Sequence, residues 1–126
     1  MKIAIAGPGA MGCLFAASLS RSRSKEHDIW LLDHNAARAA RLSRQGIDVE
    51  GIAGNWHADA RATSDVKDIP KVDLIIICVK SYDTKAAIER LKPLAGEDTP
   101  VLTLQNGIGN IELIGEVVGP DQVIGG

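Results

Sequence analysis

The chain has 126 residues, a formal net charge of -2, 45% hydrophobic residues and only 3% aromatic ones. That length supports one domain with a real core, and so few aromatics mean aliphatic side chains and alanines must fill it, as in helices packed closely on a parallel sheet. The mild acidity and the lack of a basic stripe with interleaved aromatics exclude a nucleic-acid-binding surface.

Lys2-Ile3-Ala4-Ile5-Ala6 reads as a short buried strand that runs into Gly7-Pro8-Gly9-Ala10-Met11-Gly12, and the apolar stretch Cys13 to Leu19 then reads as a helix. The turn has the spacing G-x-G-x-x-G. In such a turn the first glycine bends the chain out of the strand. The second has no Cβ to hold a pyrophosphate off the backbone, and the third lets the helix pack close to the sheet. The unpaired N–H groups and positive dipole end of the helix then face phosphates. A secretory signal is the competing reading of Lys2 to Leu19, and Gly7, Pro8, Gly9 and Gly12 interrupt its apolar core.

Arg21, Arg23 and Lys25 belong to a polar, solvated loop, and Ile29-Trp30-Leu31-Leu32 reads as a second buried strand closed by Asp33. Asn35 suits the cap of a helix with Ala36, Ala39, Ala40 and Leu42 as its apolar stripe and Gly46 as its stop. Short alternations around Gly51 and Gly54 predict a small hairpin or a pair of short strands between Ile47 and Thr63. Val72 to Val79 is an almost unbroken apolar run, hence a central parallel strand buried on both faces. A helix capped by Asp83 or Thr84 follows, with Ala86, Ala87, Ile88 and Leu91 inside, and ends before Pro93. Pro100 to Leu104 reads as a strand, and 108–118 contains a helix with Ile111, Leu113 and Ile114 buried. One more strand begins at Gln122-Val123-Ile124. The alternation predicts an α/β fold: a Rossmann-type, doubly wound, mostly parallel sheet with helices on both faces. Because the chain stops two glycines into that strand, residues 1–126 are expected to be the front part of a longer, two-domain protein.

Cys13 and Cys78 form no C-x-x-C and show no zinc spacing; as small core residues they suit a reducing, cytoplasmic setting. No segment is apolar enough to span a membrane. No nucleophile elbow or Ser-His-Asp arrangement is readable, His27 and His57 are surface or structural residues, and Tyr82 covers a cleft edge or a helix.

In an open parallel sheet, ligands bind beyond the carboxyl ends of the strands. The polar and glycine-rich signals gather there: Gly7 to Gly12, Asp33-His34, Lys80-Ser81 and Gln105-Asn106-Gly107. Asp33 stands 21 residues after Gly12. An acid at that place either accepts hydrogen bonds from the adenosine ribose of NAD or merely caps the following helix. With NADP, Asp33 would repel the 2′-phosphate, and His34, Arg38 or Arg41 would have to supply a cation. Lys80 either snorkels at a strand end or faces cofactor oxygens. Asn106 either serves a tight turn or orients a nicotinamide ribose or substrate hydroxyl.

Three blocks resemble the N-terminal domain of the ketopantoate reductase (2-dehydropantoate 2-reductase) family: residues 2–12, Cys78-Val79-Lys80-Ser81-Tyr82-Asp83-Thr84, and Leu104-Gln105-Asn106-Gly107-Ile108-Gly109-Asn110. The resemblance implies an NADPH-dependent reduction of a small 2-oxo acid, ketopantoate to pantoate, on the route to pantothenate and coenzyme A. It implies that Gly7, Pro8, Gly9, Ala10, Met11 and Gly12 hold the pyrophosphate. Lys80 would contact the cofactor, and Asn106 would lie beside the nicotinamide ribose and substrate. The family's general-acid lysine belongs to a helical C-terminal domain, so these residues alone should bind cofactor without turning over substrate. The family usually has an arginine just after the second strand, where this chain has Asp33-His34; NAD therefore stays open beside NADP. Another hydroxy acid dehydrogenase and a non-catalytic nucleotide sensor are the alternative readings, and a homodimer is compatible with each.

Overall fold

A computed structural model describes residues 1–7, 9–20, 27–51, 54–79, 84–104 and 109–125. Among the described residues, eight strands and four α-helices follow in the order β1 (Lys2–Ala6), α1 (Ala10–Ser20), β2 (Asp28–Leu32), α2 (Ala36–Gln45), β3 (Ile47–Val49), β4 (Trp56–Ala58), β5 (Arg61–Thr63), β6 (Leu74–Ile77), α3 (Thr84–Leu91), β7 (Val101–Thr103), α4 (Asn110–Val118) and β8 (Val123–Gly125). Six strands form one sheet in the order β5-β2-β1-β6-β7-β8, every neighbouring pair parallel. The remaining two, β3 and β4, pair antiparallel as a separate hairpin. With that hairpin set aside, the strand order is the doubly wound one, and the chain reverses its winding between β1 and β6.

Alternation along the central strands builds the core on both faces. Ile3, Ile5, Leu31 and Ile76 point to the face covered by Ala16 and Ala17 of α1, with Ile47 and Ala58 of the hairpin beside them. Ala4, Ala6, Leu32, Ile75 and Ile77 point to the opposite face, where Ile88 and Leu91 of α3 and Ile114 of α4 close the layer with Val101. The small side chains of Ala4 and Ala6 leave room for those branched residues.

The structure departs from the sequence reading at particular places. Arg61-Ala62-Thr63 is a sixth sheet strand on the outer side of β2, in register with Trp30-Leu31-Leu32, rather than part of an isolated pair. Strand β6 has four residues; the Val72 and Asp73 amides before it donate to Leu94 and Lys2 carbonyls. Of the stripe expected on α2, only Ala39 is buried, while Ala36 and Ala40 are exposed; Ala86 of α3 is exposed too. Ile111 is 48% exposed, because α4 turns Ile114 and Gly115 inward instead. A Cβ on Gly115 would lie 3.2 Å from Pro120 Cα, so this glycine permits a close approach of the turn that follows α4. Cys13 and Cys78 are half-buried at the core margin.

Candidate functional site

The carboxyl ends of the strands fall in one row. Ala6 is in register with both Leu32 and Ile77; Leu32 aligns with Thr63 and Ile77 with Thr103. The ladder runs on past the strands, with Gly7 N–H donating to Leu32 O (3.2 Å), Asp33 N–H to Thr63 O (2.9 Å) and Cys78 N–H to Ala6 O (2.9 Å). The glycine turn therefore leaves the sheet between Leu32-Asp33 on one side and Cys78-Val79 on the other.

Each glycine of the turn has a distinct environment. Gly7 has φ +95°, a left-handed conformation that glycine adopts without strain, and a Cβ there would lie 2.9 Å from Val79 N. Gly12 is buried, and its Cβ would stand 1.9 Å from Gly7 O, so the first turn of α1 lies directly on the glycine turn. Gly9 is exposed, and an added Cβ would meet nothing within 4 Å. Cys13 N–H donates to Gly9 O at 3.0 Å, which starts α1 at this glycine. The N–H groups of Ala10, Met11 and Gly12 precede the first residue able to bond within the helix and point out of its N-terminal end. An open glycine beside a helix start is the cradle an anionic group requires.

At the end of β2 the two readings of Asp33 meet a specific geometry. Asn35 caps α2: its side-chain oxygen accepts the Arg38 N–H at 3.0 Å. Asp33, two residues before the cap, accepts the Asn35 N–H at 2.9 Å. Arg38 then reaches back and forks onto the carboxylate, with Nε donating to Oδ2 and Nη2 to Oδ1, the latter at 2.7 Å. The Asp33 side chain is 0% exposed and that of Arg38 41%. Burial pushes the Asp33 carboxyl up, but the Arg38 fork, the Asn35 N–H and the charges of Arg38 and His34 outweigh it and hold it below the ordinary value. His34 is exposed, its Nδ1 3.8 Å from the same carboxylate, and Arg41 is exposed on α2. The cap of α2 is therefore Asn35, and Asp33 braces it from outside the helix through the Asn35 N–H and the Arg38 guanidinium.

Pro8, Lys80, Tyr82 and Asn106 lie outside the described residues, as do the side chains of Ala10 and Met11. His57, which the sequence left without a partner, bonds Asp48 across the hairpin at 2.6 Å and has a structural role. Among the described residues no group of His, Cys, Asp and Glu could hold a metal ion, and no helix is long and apolar enough to cross a membrane. The Asp33–Arg38 pairing is what sequence reasoning missed. Its signal was an arginine in the first turn of a helix, where the macrodipole disfavours a cation unless an acid stands nearby.

A glycine turn at the switch point of a doubly wound sheet, opening a helix packed on it, defines a Rossmann-type α/β domain. The chain belongs to the ketopantoate reductase PanE/ApbA family, whose model matches residues 3–126. It is 37% identical over 126 residues to a 2-dehydropantoate 2-reductase of Aquifex aeolicus, covering 98% of this chain and 37% of the relative. The crystal structure of 2-dehydropantoate 2-reductase from Geobacter metallireducens superposes with a TM-score of 0.85 at 30% identity, covering 99% of this chain and 40% of that one. A D-mandelate dehydrogenase solved with NADH and anilino(oxo)acetate gives a TM-score of 0.83 at 29% identity, covering 100% and 40%. The chain thus spans about two fifths of the length of such relatives.

Proposed function

We propose that residues 1–126 are the cofactor-binding domain of a cytoplasmic 2-dehydropantoate 2-reductase, which uses NADPH to reduce ketopantoate to pantoate. The observation that carries the reading is the open Gly9 at the start of α1, between the ends of β2 and β6. The family match and the 2-dehydropantoate 2-reductases among the relatives support the substrate. Gly7 and Gly12 fix the turn, and the first N–H groups of α1 hold the pyrophosphate. Lys80 contacts the cofactor, and Asn106 orients the nicotinamide ribose and the 2-oxo acid. When bound, the reduced nicotinamide supplies the hydride. A general acid outside these residues protonates the developing alkoxide.

The NADH in the D-mandelate dehydrogenase structure favours a second reading, an NADH-linked 2-hydroxy acid dehydrogenase on the same domain. The two separate in one assay of the whole gene product, following nicotinamide absorbance with ketopantoate or a phenyl-substituted 2-oxo acid, each with NADPH and NADH. Turnover confined to ketopantoate supports the reductase. Turnover confined to the aryl substrate overturns it.

A further inference from the structure

The second strand is followed by an acid, Asp33, at the place where a dinucleotide-binding sheet offers a ribose acceptor. The geometry opposes that role for Asp33. Its side chain is fully buried, Oδ1 already takes the Asn35 N–H and Arg38 Nη2, and Oδ2 takes Arg38 Nε. A ribose diol would have to reach a carboxylate that is closed off from solvent and held in a two-point, charge-assisted fork. The same fork leaves Nη1 of Arg38 outside the pair, on a side chain that is 41% exposed. Its root is in the first turn of α2, and its anchor lies beside the Gly7–Leu32 hydrogen bond where the glycine turn leaves the sheet.

We infer that Asp33 is a positioning residue and that Arg38, held by it, is the cation that receives the 2′-phosphate of NADPH. The inference rests on the cofactor reading above and adds to it the origin of the cofactor preference. A loose arginine loses rotamer freedom on binding an anion, whereas one already locked by a buried carboxylate has lost most of it beforehand. Asp33 also cancels part of the charge, so selectivity comes from the fixed direction of the remaining N–H groups. Exposed Arg41, three residues further along α2, adds positive potential on the same helix.

The test is calorimetric titration of the full chain with adenosine 2′,5′-bisphosphate and, separately, with AMP. Tighter binding of the bisphosphate is expected, and Asp33→Asn and Arg38→Ala should each cut that preference about tenfold or more while AMP affinity stays where it was. Arg38→Lys, which keeps the charge and loses the fork, should fall between; it serves if Asp33→Asn does not fold. A merely structural role would lower both affinities together and would overturn the inference. Preference for AMP, weakened by Asp33→Asn, would restore the ribose-acceptor role and leave the family reading intact. Failure of both nucleotides to bind would sink the inference and the cofactor reading together.

Discussion

A Cβ on Gly12 would stand 1.9 Å from the carbonyl oxygen of Gly7, while one on Gly9, between them, would meet nothing. The contrast separates stability from binding within a single turn. Gly12→Ala must push α1 off the glycine turn, an overpacking cost of about 1–3 kcal/mol or more. Gly9→Ala replaces one cap residue by a poorer one and should cost about 1 kcal/mol at most. Urea unfolding of the two variants checks the order, and equal losses would show that the close approach at Gly12 does not matter.

The Asp33–Arg38 fork makes stability depend on acid in a defined direction. The folded carboxyl is held below its ordinary value, so its contribution is fully present above the unfolded value of about 4 and is lost as pH falls through the folded value. Wild type should therefore lose more stability than Asp33→Asn between neutral pH and the acid limit. Parallel curves for the two proteins, measured by chemical denaturation across that range, would show that the fork contributes nothing.

Both cysteines should be sluggish nucleophiles. Burial pushes the Cys78 thiol up; burial and then the Asp33 charge push Cys13 up, against a smaller opposing pull from Arg38. At neutral pH, alkylation of each should lag a free-thiol standard. Asp33→Asn should speed labelling at Cys13 and leave Cys78 alone, as site-resolved mass spectrometry would report. Equal acceleration at both sites would instead indicate general loosening of the fold.

Much of this architecture was legible because its signals are strong and local. Ile75-Ile76-Ile77 has no reading but a strand buried on both faces, and Gly7, Gly9 and Gly12 sit between a strand and a helix at an informative spacing. Asn35 announced its helix through its side-chain chemistry. What was hidden in the sheet and in α4 depends on partners distant in sequence. Arg61-Ala62-Thr63 carries too little pattern for a strand and becomes one by pairing with β2, where Arg61 also bonds Asp28 and lies over Trp30 at 5.6 Å. Ile111 matches the apolar period of α4 but covers the edge at Gly125, where an added Cβ would lie 2.8 Å from its Cδ1. At the site, the acid and the arginine were both visible as candidates. Their bond was not, because it requires the chain reversal between β2 and α2.

The most direct measurement is a calorimetric titration of NADPH into the full chain and into Gly9→Ala, with thermal melts of both as the control for folding. Saturable binding by the wild type, weakened about tenfold or more in a Gly9→Ala variant that melts alongside it, is the predicted result. Equal NADPH binding by the two proteins, or none by a folded wild type, would contradict the assignment of the cofactor to this glycine turn.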